Sequence, residues 1–492
     1  MNDLYPQISA SLFQTLPILV LIVAGIGVLV ADVLLPRASR WLLSWLSLLG
    51  VALAFIALDF VVGPAGREAL PLHSYFGVLR SNYLVFLAQN VILAAGAFVI
   101  LISPRYVGER RIPLGEYYGL LLLAVMAMLA LAASTELLTV FLNLELLSIT
   151  LYVLTGIENR NLRSGEAAFK YFLLGSFAAA FLLLGIAFVF GATGETRYDA
   201  IRQVLVDGTA QPRLLAIGFC LMLVGFGFKL SLAPFHMYAP DVYEGAPTTT
   251  ASLIATGTKV AGFAALFHLI ELAAAWSDAA GGLWLALYAV ALASMIVGNV
   301  GAVVQPNIKR MLAYSSIAHS GYTIVPMVVM LQRPDLIADA RDAVAYYMLA
   351  YTVMTLLAFG VPAVLGPAGE SRIAQYAGLH RRSPMLACVM ALAMVSLMGI
   401  PPTIGFFGKF QLFAVAVQGD HIWLAVLGVL ASVASVYYYL RVIVTMYMEE
   451  PATAGEELES RRLDGVNAFA LTACSVCVFL FVVFQSLYLF GV

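Results

Sequence analysis

Only five lysines occur in the 492 residues, and four of them, Lys170, Lys229, Lys259 and Lys409, stand inside long apolar runs. The fifth, Lys309, falls at a helix start beside Arg310. A charge at the centre of a bilayer costs at least ~2.5–3.5 kcal/mol, so repeated placements of this kind ask for a purpose. Arginine stays protonated essentially always, whereas a desolvated lysine can release and recapture a proton. Proton transfer is the chemistry such lysines permit. Lys229 and Lys259 lie near the middle of their runs, where snorkelling to the surface is difficult, and Lys409 lies deep in its own. Lys170 follows Glu166 by four residues, so a surface i,i+4 ion pair competes there with a role in proton transfer. Arg441, the remaining cation within a run, reads as a structural or interfacial charge.

The acid that matches these bases is Glu145, midway along FLNLELLSITLYVL. Asp32 and Asp59 fall near run ends, and Glu136 reads as a helix start. A buried carboxylate needs a cationic partner or a proton, and Lys229 is the expected partner. Pairing would keep the lysine charged, and separation would favour loss of its proton. His319, within AYSSIAHSGY, has an unperturbed pKa near neutrality and is a candidate bridge between lysines. The alternative for it is a simple interhelical hydrogen bond. Cys474 and Cys477 spell C-x-x-C inside an apolar run, where small packing residues are expected, since a reactive thiol needs an accessible, electropositive setting. There is no nucleotide loop, metal-ligand cluster or Fe–S cysteine pattern, so no cofactor is expected in this chain.

The elements that must hold these residues follow from composition. The chain is 62% hydrophobic and 11% charged, with net charge −2 and mean hydropathy +0.94. That charge deficit excludes an ordinary soluble domain, and the balance gives no footprint for nucleic acid. Long continuous apolar runs favour membrane-spanning helices over a barrel. Fourteen spans are predicted, at about 14–35, 40–62, 81–103, 115–134, 136–156, 166–191, 213–238, 248–271, 279–304, 308–330, 342–364, 384–417, 421–448 and 464–489. The closest boundary is Ser134-Thr135-Glu136, where two spans abut. The first span lacks a preceding Lys or Arg and a small-residue cleavage site, and reads as a retained helix.

Numbering connections from the first helix, the odd ones carry fourteen basic residues: Arg37, Arg40, Arg105, Arg110, Arg111, Arg160, Arg163, Lys309, Arg310, Arg372, Arg381, Arg382, Arg461 and Arg462. The even ones carry seven: Arg67, Arg80, Arg197, Arg202, Arg213, Arg333 and Arg341. This bias predicts odd connections in the cytoplasm and both termini on the outer side.

Two spans are interrupted by proline near their lysine. In GFGFKLSLAPFHMYAPDVYEGAP, Lys229 precedes Pro234; in MGIPPTIGFFGKF, Pro401 and Pro402 precede Lys409. Proline frees carbonyls that need another partner, and at membrane depth this is tolerated only beside protein or a watery cavity. These are spans seven and twelve, of opposite direction, which suggests inverted repeats over spans 4–8 and 9–13. The expected organisation is a single transmembrane domain, 1–492. It has three N-terminal helices (1–114), repeats at 115–271 and 279–448, and a last helix at 464–489.

FLNLELLSITLYVLTG, EAAFKYFLLGSF, KLSLAPFHMYAPDVYEGAPTTTASLIATGTKVAGF, NIKRMLAYSSIAHSGY and GIPPTIGFFGKF, in this order, resemble the antiporter-like membrane subunits of respiratory complex I (NADH:quinone oxidoreductase). The resemblance covers at least residues 115–445 and is nearest to the bacterial N type. It implies an all-α fold of about fourteen transmembrane helices with inverted five-helix repeats, broken helices seven and twelve, and charged residues along the membrane midplane. Glu145 matches the fifth-helix glutamate, Lys229 the broken-helix lysine, Lys259 the connecting lysine and Lys409 the terminal lysine of that row. A lysine at 409 favours the N type over the M type, which typically carries an acid there. A chain that stops after span fourteen has no room for the long lateral helix of the L type. The first three helices match in character only.

The family implies a proton-translocating subunit of the bacterial inner membrane, packed against other antiporter-like and small membrane subunits and lipid. Electrons would move elsewhere in the assembly, with protons passing from Glu145–Lys229 through Lys259 and His319 to Lys409, and Lys170 at the near end. Two alternatives stand beside this: a subunit of a multisubunit cation/proton antiporter, and a scaffold whose buried charges fix helix register.

Overall fold

The computed structural model describes residues 15–36, 39–59, 72–74, 78–276, 279–366, 372–450 and 464–490, and all side chains within them except those of 72–74, 279–281 and 481–490. Arg37, Arg67, Arg461, Arg462 and both termini, which entered the orientation argument, lie outside the described residues.

The described chain is helical except for one antiparallel hairpin, β1 (Leu72–Ser74) with β2 (Leu79–Ser81). Its helices of seven residues or more are α1 (Leu16–Leu34), α2 (Leu42–Ala57), α3 (Tyr83–Glu109), α4 (Leu114–Ala133), α5 (Leu137–Thr155) and α6 (Leu162–Thr193). Then come α7 (Tyr198–Val206), α8 (Pro212–Lys229), α9 (Ala239–Gly245), α10 (Thr248–Ala255), α11 (Gly257–Ala273) and α12 (Ala279–Val303). The rest are α13 (Ile308–Gln332), α14 (Ile337–Leu365), α15 (Pro384–Met398), α16 (Ile404–Gln418), α17 (Ile422–Met448) and α18 (Gly465–Phe490). Among the described residues, ten helical segments are long and apolar enough to cross a membrane, and α2, α15, α16 and 465–480 are shorter apolar helices.

Local chemistry explains most boundaries. Between α4 and α5 the chain turns where the sequence places a helix start: Glu136 caps α5, accepting from Thr139 N at 2.6 Å. The third helix runs past its predicted end, through Pro104 to Glu109. Pro104 cannot bond Ile100 O, and the Ser103 hydroxyl takes that carbonyl instead, at 3.0 Å. The predicted span 213–238 ends its first helix at Lys229, and Pro234 lies in non-helical chain. The predicted span 248–271 is two helices, because Thr256 leaves helical geometry (φ −114, ψ −78). The predicted span 384–417 is likewise split, at Gly399–Thr403. Both proline breaks contain a cis bond, Ala233-Pro234 and Pro401-Pro402.

The segment 248–273 is buried except at Glu271 and α14 is buried from Ala350 to Leu365, while α1, α6 and α17 leave most of their surface outside the bundle. Lipid is as apolar as the core, so helix faces are chosen by packing rather than by a polar side. The two most extensive pairings, α6 with α8 and α12 with α13, are glycine contacts. A Cβ on Gly185 would lie 2.7 Å from Gly218 O, and one on Gly321 would lie 2.8 Å from Ala291 O. Among the described residues, eleven of the twelve largest fully buried side chains are tyrosines. Each brings a hydroxyl that needs a partner in the interior.

Candidate functional site

Lys229, Lys259 and Lys409 are buried and each stands beside a helix interruption, and Lys409 also bonds carbonyls that its interruption frees. Lys229 is the last residue of α8, and the chain then turns through Ser231, which has positive φ (54°). Its ammonium donates to Ser148 Oγ of α5 at 3.0 Å and lies 6.0 Å from the Tyr171 ring centre. The Leu230 carbonyl left by the break accepts from Ser320 Oγ at 2.9 Å, and Ala233 N donates to Ser294 Oγ at 2.9 Å.

Lys259 follows the Thr256 break. It donates to Ser316 O at 2.7 Å and to the Ser320 hydroxyl. Ser320 therefore touches both the Lys259 ammonium and the backbone next to Lys229, joining the two lysine sites through one hydroxyl. Beyond Lys259 lies Tyr351, whose ring centre is 6.0 Å from the ammonium and 5.2 Å from the His319 ring. Tyr351 also donates to Ser316 Oγ at 2.9 Å. His319 is buried between two phenols, with Nδ1 2.6 Å from Tyr347 OH and Nε2 3.1 Å from Tyr439 OH. Tyr439 in turn bonds Ser315.

Tyr322 stands between His319 and the last lysine, at 5.7 Å from the His319 ring and 5.4 Å from the Lys409 ammonium. Lys409 donates to Leu397 O and Met398 O at 2.9 Å each and to Ser432 Oγ at 2.8 Å. Those carbonyls belong to the end of α15, where Gly399 (φ 83°) stops the helix. Lys229, Lys259, His319 and Lys409 thus form one buried row, separated by hydroxyl and phenol side chains. Such a row can pass a proton between neighbours without carrying a full charge through lipid.

Two candidates stand apart from it. Among the described residues Glu145 does not form the expected ion pair with Lys229, and its Oε1 has no hydrogen-bond partner. Ser148, one turn further along α5, takes the ammonium, while Glu145 is only half-buried. Lys170 makes the i,i+4 pair with Glu166 (2.8 Å) that the spacing allows, and a second with Asp241 (2.7 Å). With 42% of its side chain exposed, it belongs to a surface charge cluster rather than to the row. Arg441 is structural, donating to Val303 O at 3.0 Å and to Gln305 O near the end of α12. Lys309 stands at a helix start, in the first turn of α13, and is buried there with its ammonium on Ala246 O at 2.7 Å.

Sequence reasoning missed the spacers Ser148, Ser316, Ser320, Tyr322, Tyr347, Tyr351, Ser432 and Tyr439. One signal was present: AYSSIAHSGY holds five hydroxyl side chains around His319.

Comparison with known proteins agrees with this architecture. The family model for NADH:quinone oxidoreductase/Mrp antiporter transmembrane subunits matches residues 134–435. NADH-quinone oxidoreductase subunit N of Trichlorobacter lovleyi is 43% identical over 483 residues, spanning 95% of this chain and 94% of the relative. A chain of respiratory complex I from Thermus thermophilus with bound aureothin is 32% identical, with TM-score 0.79, 96% of this chain and 98% of that one covered. A chain of the Mrp complex from Dietzia sp. has TM-score 0.81 at 18% identity, with 98% and 95% covered, a likeness of fold alone. With a domain match over more than half its length and such a relative over nearly all of it, the chain belongs to the antiporter-like membrane subunits of NADH:quinone oxidoreductase, and among them to the subunit N type.

Proposed function

We propose that this chain carries one proton route of a redox-driven pump, with Lys229, Lys259, His319 and Lys409 as the proton-carrying groups. The observation that carries the reading is their continuity: Ser320 links the first two sites, Tyr351 lies between Lys259 and His319, and Tyr322 lies between His319 and Lys409. Glu145, half-buried with a free carboxylate oxygen, acts by its charge on Lys229, whose ammonium is held by Ser148 one turn further along α5. Lys170 stands at the entrance, beside the surface carboxylates of Glu166 and Asp241.

In this reading the chain crosses the membrane fourteen times, α2, α15–α16 and α18 included. Residues 115–271 and 279–448 are the inverted repeats, each with one proline-broken span beside a lysine. The arginine bias puts odd connections in the cytoplasm and the termini outside a bacterial inner membrane. Neighbouring antiporter-like and small membrane subunits cover part of the apolar surface, and lipid covers the rest. Electron transfer takes place in other subunits, and their signal moves protons by changing the charge around Lys229. The energy comes from them, because one charge moved against 100 mV costs about 2.3 kcal/mol.

The test is Lys229→Met in membrane vesicles, measuring NADH-driven quinone reduction and proton uptake alongside the amount of assembled complex. Loss of both activities at normal assembly is expected. Normal pumping at normal assembly would sink the role of Lys229, and wild-type vesicles without NADH-linked activity would favour the antiporter reading.

A further inference from the structure

α9 is seven residues long and lies between α6 and α13. Its approach to α6 depends on Gly245, where a Cβ would sit 2.6 Å from Arg163 O. Two acids fix it on either side. Asp241 accepts from Lys170 of α6 at 2.7 Å and from Arg310 of α13 at 2.6 Å. Glu244 accepts from the same Arg310 nitrogen at 2.9 Å and from Asn307 at 3.4 Å, with Arg163 4.0 Å away. Ion pairs this exposed contribute little stability. What they do fix is geometry, since one guanidinium nitrogen is shared by two carboxylates of the same short helix.

The other groups of this segment reach the lysine row. Tyr238, the residue before α9, stacks on Tyr171 with ring centres 5.0 Å apart. Its hydroxyl is 2.9 Å from Ser231 Oγ and donates to Lys229 O at 3.5 Å. Tyr243 OH is 3.4 Å from Ser316 Oγ, and the carbonyl of Ser316 receives the Lys259 ammonium. A hydrogen bond at 3.4 Å is at the long limit, so a shift of about 0.5 Å in α9 makes or breaks it. The short segment from Tyr238 to Gly245 therefore joins a charge cluster at the protein surface to the Lys229 backbone carbonyl and to Ser316, the residue whose carbonyl holds Lys259.

We propose that the Lys170–Asp241–Arg310–Glu244 cluster is a latch that sets the position of α9, and through Tyr243 controls proton passage between Lys229 and Lys259. Asp241 and Glu244 are positioning residues, and they carry no proton along the row. The inference rests on the relay reading above.

A double-mutant cycle in vesicles tests it, with Asp241→Asn, Tyr243→Phe and the two combined, and NADH-driven proton uptake measured per assembled complex. Each single change is expected to lower uptake severalfold, the pair no further than the worse single, and Asp241→Glu to restore it. Losses that multiply, or uptake untouched by Asp241→Asn, overturn the latch. If Asp241→Asn reduces assembly, Glu244→Gln takes its place in the cycle with the same expectation and the same overturning results. Lys229→Met in the same membranes separates the two proposals. Normal pumping there defeats the relay itself, whereas an inactive Lys229→Met with multiplying losses in the cycle defeats the latch alone.

Discussion

Lys409 illustrates how the interior holds an ammonium. Three acceptors, Leu397 O, Met398 O and Ser432 Oγ, meet the three hydrogens of the group within 2.9 Å. A guanidinium keeps the charge but not this convergent geometry, and it does not give up its proton. Lys409→Arg is expected to reduce proton uptake by about tenfold or more at unchanged assembly, a barrier change of ~1.4 kcal/mol or above. Equal uptake in the variant would mean that charge alone suffices at this position.

Asp241 is a second case, at the surface. Burial works to raise its carboxyl, but the hydrogen bonds and charges of Lys170 and Arg310 outweigh that and hold it below the usual carboxylate value. A depressed value means the contribution is fully present above the unfolded value and is lost only as pH falls through the folded one. The ratio of wild-type to Asp241→Asn uptake is therefore expected to stay constant between about pH 5 and 9, well above the carboxylate range. A ratio that falls toward one within that window would show that Asp241 titrates there.

At the scale of elements, the interruptions are where the lysines sit, and glycine contacts set how closely neighbouring helices approach. Gly321 of α13 packs on the α12 backbone, and His319 lies two residues away. Overpacking of this kind costs ~1–3 kcal/mol. Gly321→Leu is expected to cut the amount of assembled complex, read on a native gel, while Gly165→Leu, in open space on α6, leaves it unchanged. The two proline breaks were legible because proline acts locally: it removes a donor wherever it stands. The Thr256 break was not, since threonine in TTTASLIATGTK fits a helix and it is the backbone after Ala255 that departs from it. The extension of α3 through Pro104 was equally hidden, as it depends on the Ser103 hydroxyl finding Ile100 O.

For the whole molecule, orientation is the open physical prediction. Single cysteines at Asp207 and at Arg160, in a chain lacking its four native thiols, are expected to label from opposite sides of sealed vesicles. Asp207 follows α7 in an even connection and Arg160 lies in an odd one. Labelling of both from one side would contradict the alternating topology. Large apolar side chains remain exposed along α5 and α6, among them Leu142, Phe169, Phe177 and Phe181. The half-buried Glu145 lies on α5 among these exposed residues.

The sequence by itself determined that this is a polytopic helical membrane protein, that lysine is kept for its interior, and that two spans break beside a lysine. Those properties are local or compositional: hydropathy, residue type and proline each act without reference to distant chain. Only the tertiary structure decided what each ammonium touches. Lys229 meets Ser148 across 81 residues of sequence, Lys259 meets Ser320 across 61, and His319 meets Tyr439 across 120. Spans that are apolar all round carry no periodic signal for the face they bury, so such pairings cannot be read along the chain. They are set by how closely glycine-bearing helices approach one another, a property of three dimensions.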